Sequence, residues 1–218
     1  MTYTAIINAV LRRLREDEVS APGDSEYATL IGDYVNEAKR EVEDAHKWHS
    51  LRTQIQVTTA SGTGTYALTG AGNRFKMVDP KRWAYDSTNK NYVKPHGSKQ
   101  VKRMVLEDPT YGRPYLYFID GKDSNGDPQV TFYSTPNGIY VINYEVVIPQ
   151  ADLSVGTTEL TVPEWPVILG AYAKALMERG EDNGTTHGGA ILTAQNALSD
   201  AIALDASWAE EEYTWSID

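Results

Sequence analysis

The chain has 218 residues, 41% of them hydrophobic and 23% charged, with a formal net charge of −10 at pH 7 and no cysteine. That size and composition fit one large or two small globular domains with a real core. They exclude disulfide stapling, thiolate catalysis and cysteine-ligated zinc or iron–sulfur sites. No apolar run nears the roughly 18 residues needed to span a bilayer. The first residues lack the basic-then-apolar pattern of a signal peptide, so the expectation is a protein made in a reducing cytoplasm with no membrane partner.

The N-terminal segment places Ile6, Ile7, Val10, Leu11 and Leu14 on one helical face. Pro22-Gly23 breaks it, and Asp24 or Ser25 can cap a second helix. In that helix Ile31, Tyr34, Val35, Ala38, Val42, Ala45 and Trp48 keep the 3.6-residue period to about residue 49. After Leu51 the period drops to two. Ile55 and Val57 alternate with Gln54, Gln56 and Thr58 as in a half-buried strand. Short strands are predicted at Thr65–Leu68, Phe75–Val78, Trp83–Asp86, Val101–Val105, Tyr115–Ile119, Val130–Tyr133 and Ile139–Val147, separated by Gly, Pro, Asn and Asp. The helical period returns near Pro163, with Val167, Ile168, Ala171, Tyr172, Ala175 and Leu176 on one face and Gly180 at a C-terminal cap. The last helix carries a seam of Ala190, Ala194, Ala197, Ala201, Leu204 and Trp208. Small side chains along one stripe let a neighbouring helix approach closely.

Two helices, a β region and two more helices define an α+β protein. The expected architecture is a four-helix bundle built from residues 1–50 and 160–218, with an antiparallel β-sandwich or barrel, residues 51–159, inserted between them.

Charge follows the same division: −4 over residues 1–50, +2 over 51–159 and −8 over 160–218. Duplex gripping needs a basic footprint. The only dense basic cluster, Lys99-Gln-Val-Lys-Arg103, is short, so tight DNA binding is not expected. His46-Lys-Trp-His49 has a spacing that can bind zinc but lacks a third strong ligand. It reads as a polar helix end. Asp120–Asp127 resembles a calcium loop, yet aligning on Gly126 leaves the first and twelfth ligands missing. A hairpin turn at Asn125-Gly126 fits better. No catalytic elbow, phosphate loop, zinc-protease or dinucleotide motif is present. No catalytic, metal or cofactor-binding residue is assigned, no cofactor is expected, and the chain reads as a non-enzyme.

Aromatic usage points to surfaces instead: 14 Tyr and 5 Trp against 3 Phe. Tyr and Trp are enriched at protein interfaces, and Tyr115, Tyr117, Trp208, Tyr213 and Trp215 are the interface candidates. The C-terminal three either complete the core at the helix end or dock as a tail. A carbohydrate-binding face on the β region is the alternative use of such tyrosines, and a hydrolase with a carboxylate pair is a further one.

The helix Asp33–Trp48 running into Leu51-Arg-Thr, then Gly72-Asn-Arg-Phe75, Pro136-Asn-Gly138, Pro149–Leu153 and Val167–Asp182, resembles the head-to-tail adaptors of short-tailed bacteriophages. That family is also called tail tubular protein A, or gatekeeper. The resemblance implies a structural virion protein at the head–tail junction, assembled in the host bacterial cytoplasm. It further implies a self-assembled ring, a dodecamer, joining the portal protein to the tail nozzle protein. Genomic DNA would pass through its lumen without sequence-specific binding.

Overall fold

The computed structural model describes residues 1–78, 84–180 and 185–208. The helices in chain order are α1 (Tyr3–Arg13), α2 (Glu26–Ala45), α3 (Ser98–Glu107), α4 (Glu164–Glu178) and α5 (Thr185–Ala206). The strands are β1 (Arg52–Thr58), β2 (Thr65–Ala67), β3 (Lys76–Met77), β4 (Ala84–Asp86), β5 (Asn91–Pro95), β6 (Tyr111–Gly112), β7 (Leu116–Lys122), β8 (Pro128–Tyr133), β9 (Thr135–Pro136) and β10 (Val141–Val147). The chain divides into two compact units, Met1–Ser50 with Gln150–Asp218, and Leu51–Pro149.

In the helical unit α4 is the hub: α1, α2 and α5 all pack against it. Most of the periodic residues of α1, α2 and α4 form its core, with Ile6, Ile7, Val10, Ile31, Val35, Val167 and Ala171 buried, whereas Tyr34 and Tyr172 are half-buried and Ala45 is exposed. Ser25 starts α2 by accepting a hydrogen bond from the Ala28 amide at 3.0 Å. Gly32 lets α1 come close, since a Cβ there would lie 2.4 Å from the Tyr3 hydroxyl. Gly180 follows α4 at φ +77°, the left-handed geometry that ends a helix.

The helical unit takes the chain back at Gln150, ahead of residue 160 where the hydrophobic period changes. Polar groups on α2 explain this. The Asn36 amide donates to Leu153 O (3.0 Å) and accepts from Leu153 N (2.8 Å). Buried Lys39 donates to Glu43 (3.0 Å) and to Gln150 O (2.7 Å), and the Gln150 amide donates to Glu43 (3.0 Å). Hydrophobic periodicity carries no trace of such bonds.

The β unit holds an eight-stranded sheet ordered β1-β10-β4-β5-β7-β8-β2, with β3 also on β10, and a separate β6–β9 pair. Its core joins Ile55, Val57, Leu68, Tyr117, Phe132, Ile142 and Tyr144. Two expectations need correction here. Val101–Val105, read as a strand, lies within α3: Val101, Met104 and Val105 have helical spacing and pack on Leu116, Phe118 and Tyr133. Two valines in a short run favour strand on propensity, and packing overrides it. That helix is the crossover that lets β5 and β7 run parallel, so the sheet is mixed rather than wholly antiparallel.

Candidate interaction surface

Among the described residues no group of three His, Cys, Asp or Glu side chains is arranged to hold a metal ion. His46 and His49 turn instead toward one carboxylate. Asp205 Oδ2 lies 3.1 Å from His46 Nε2 and 2.9 Å from His49 Nδ1, and the His49 amide also points at Asp205. The histidine motif is thus a clasp holding the last turn of α5. Trp48, between the two histidines, is buried and donates to Val42 O at 2.7 Å.

The acidic 120–127 segment is likewise committed to bonds within the fold. Asp123 and Gly126 close a turn between β7 and β8 through the Gly126 amide and Asp123 O, 3.1 Å. The Asp123 carboxylate accepts from the amides of Asn125 and Asp127. Asp127 accepts from the Gly70 and Gly72 amides at 3.0 and 2.8 Å, and these bonds hold its carboxyl below the usual range.

What remains is surface. Helix α5 spans 22 residues, and no residue of it whose side chain is described is fully buried. Ala190, Ile191, Ala194, Ala197, Leu198, Ala201 and Ile202 form a half-covered stripe, and α5 packs on α4. The alanines of the predicted seam are on that stripe, whereas Leu204 and Trp208 are not. Leu192, Leu204 and Trp208 are 58%, 65% and 69% exposed. Between Thr185 and Trp208 the only charged residues are Asp200 and Asp205. A solvated helix face normally carries interspersed charge, and this one does not.

Of the interface candidates, Trp208 stands exposed beside His49, ring centroids 6.5 Å apart. Tyr213 and Trp215 lie outside the described residues. Tyr115 is 43% exposed and packs edge-on against Tyr133. Its partial burial, with Tyr133 adjacent, raises the pKa of the phenol. Tyr117 must be withdrawn from the candidates: it is 2% exposed, in the core against Tyr144. Strand alternation separates these two tyrosines. Tyr111, which opens the aromatic run ending at Tyr117, is exposed, and so is the edge-to-face pair Tyr85–Tyr92, which no sequence pattern marks.

Charge is segregated between the units. The sequence gives −14 for the helical unit and +4 for the β unit. On α2, Glu37 and Glu41 share Lys174. Burial pulls that ammonium's pKa down, but Glu41 and Glu37 outweigh it and the net direction is up. On α3, Lys102 pairs with Asp120 and Arg103 with Glu107.

The chain matches the SU10 adaptor protein family over residues 1–215. It belongs to that family. The SU10 adaptors are structural head-to-tail adaptors of phages, which is consistent with a non-enzymatic protein of the virion that contacts other head and tail components. No curated protein matches the chain. Among the described residues no helix is long and apolar enough to cross a membrane.

Proposed function

We propose that this SU10 adaptor acts in the manner of tail tubular protein A. Copies of the chain form a ring, a dodecamer, beneath the portal protein and above the tail nozzle protein, and genomic DNA passes through the lumen. The observation that carries the reading is α5, a long helix with a nearly uncharged outer face that exposes Leu192, Leu204 and Trp208. A lone subunit has no use for such a face. A cyclic ring needs two different complementary patches on each subunit, and opposite net charges on the two units support that pattern. The acidic helical unit also suits a channel wall, because like charge repels DNA and lets it slide.

The test is the mass of the purified chain, alone and with its cognate portal, by light scattering or mass photometry. A ring, or a stoichiometric complex with the portal, is the expected result. A monomer indifferent to the portal would overturn the reading.

Exposed Tyr85, Tyr92, Tyr111 and Tyr115 keep carbohydrate binding as the second reading. Tyr85 and Tyr92 meet at 60°, so they do not form one flat stacking platform. Binding on a glycan array would favour this alternative.

A further inference from the structure

Among the described residues the sheet of the β unit ends at β1, with no strand on its outer side. At the two ends of the β1–β10 ladder, Thr59 N donates to Tyr140 O (2.9 Å) and Ile148 N to Leu51 O (3.1 Å). With the register Arg52↔Val147 to Thr58↔Val141, the main-chain groups of Thr53, Ile55 and Val57 therefore point to β10. Those of Arg52, Gln54, Gln56 and Thr58 point the opposite way. None of these four has a backbone partner among the described residues. The edge is seven residues long, with one charge, no proline and no bulge. Sheets that function alone blunt such an edge with charges, prolines or bulges.

The chain carries a segment that fits it. Ten residues follow Trp208, and within them Tyr213-Thr-Trp-Ser-Ile217 alternates large apolar with small hydroxyl side chains. That is the period of a strand with one buried face. Residues 209–218 hold four acidic side chains and no basic one, against +4 on the β unit, whose open edge begins at Arg52. Ten residues reach up to about 33 Å when extended, longer than β1 itself.

We propose that Tyr213–Ile217 adds as a strand to the open edge of β1 in a neighbouring copy. Main-chain hydrogen bonds to Arg52, Gln54, Gln56 and Thr58 supply the pairing. Tyr213, Trp215 and Ile217 extend the apolar face of Ile55 and Val57, while Thr214 and Ser216 extend the face of Gln54 and Gln56. Shifting the segment by one residue would turn all three large side chains to solvent, which fixes the register. Either strand direction sets an acid near Arg52: Glu212 if parallel, Asp218 if antiparallel. The neighbouring copy is supplied by the ring reading, on which the inference rests.

Residue-resolved amide exchange on the assembled full chain tests it. The amides of Arg52, Gln54, Gln56 and Thr58 should exchange roughly tenfold or more slowly than in a chain lacking residues 209–218. Those of Thr53, Ile55 and Val57 should be equal in both. Gln54→Pro removes no β1–β10 bond, since its amide faces the open edge, and it should abolish the protection while circular dichroism stays unchanged. Equal exchange with and without the tail overturns the proposal. Protection that persists in the dilute monomer overturns the neighbouring-copy assignment. A ring with these four amides unprotected sinks the strand alone and leaves the ring reading standing. A chain that stays monomeric with its portal sinks both.

Discussion

His49 Nδ1 and Asp205 Oδ2 lie 2.9 Å apart, tying the turn after α2 to the last turn of α5. His46 Nε2 reaches the same oxygen. A carboxylate oxygen accepts, so Nδ1 of His49 and Nε2 of His46 are the nitrogens that donate to it. Beside the packing of α5 on α4, this clasp is a polar anchor of the last turn of α5. Asp205→Ala should cost about 1–3 kcal/mol locally and speed amide exchange over the last two turns of α5, with α1 and α2 unaffected. Unchanged exchange there would show that packing on α4 alone holds the helix.

Lys39 and Glu43 form an ion pair with both side chains fully buried. Removing one partner strands a charge, so Lys39→Met or Glu43→Leu alone should cost about 3–5 kcal/mol in denaturant unfolding. The double variant should lose less than the sum of the two. It also forfeits both bonds to Gln150, so full recovery is not expected. Strict additivity would mean that the pair is not coupled.

The carboxyl of Asp127 is held below its ordinary value by hydrogen bonds from the Gly70 and Gly72 amides. A depressed folded-state value contributes stability that is fully present above the unfolded pKa of about 3.9. That contribution is lost as pH falls through the lower folded value. Asp127→Asn should therefore destabilise the β unit at neutral pH, with the gap to the parent narrowing below about pH 4. Urea melts across that range check it, and a gap independent of pH would assign the effect to shape alone.

The Tyr144 hydroxyl is buried with no hydrogen-bond partner among the described residues, and burial pushes its pKa well up. Tyr144→Phe keeps the edge-to-face packing on Tyr117 and removes the unsatisfied group. It should raise stability by about 1 kcal/mol. A comparable loss instead would mean that the hydroxyl is hydrogen-bonded in solution.

Helix positions were legible in the sequence because Ile6–Leu14, Ile31–Val42 and Val167–Leu176 hold one period over several turns. Trp48 keeps that period but lies past the end of α2, which stops at Ala45 where His46 turns extended. What escaped was carried by short or non-local signals. In Val101–Val105 one turn of helix and one short strand look alike, and the outcome was decided by Leu116, Phe118 and Tyr133 across the fold. Tyr115 and Tyr117 are two apart on alternate faces, so one is surface and the other core, but composition treats them alike. The Asp205 partner of the histidines lies more than 150 residues away, beyond any local motif.

The outer face of α5 separates folding from assembly. Leu192 and Leu204 are more than half exposed, so Leu192→Glu and Leu204→Glu remove little burial and should change unfolding free energy by no more than about 0.5 kcal/mol. If that face meets another subunit, each buried carboxylate there should weaken association by at least tenfold, since an unpaired charge in an interface costs several times more than about 1.4 kcal/mol. Mass photometry over a dilution series reads this directly. Variants that melt like the parent yet fail to assemble would place α5 in the subunit interface. Variants that assemble normally would move that interface to the other exposed residues of the helical unit, Trp165 beneath Arg13 first among them.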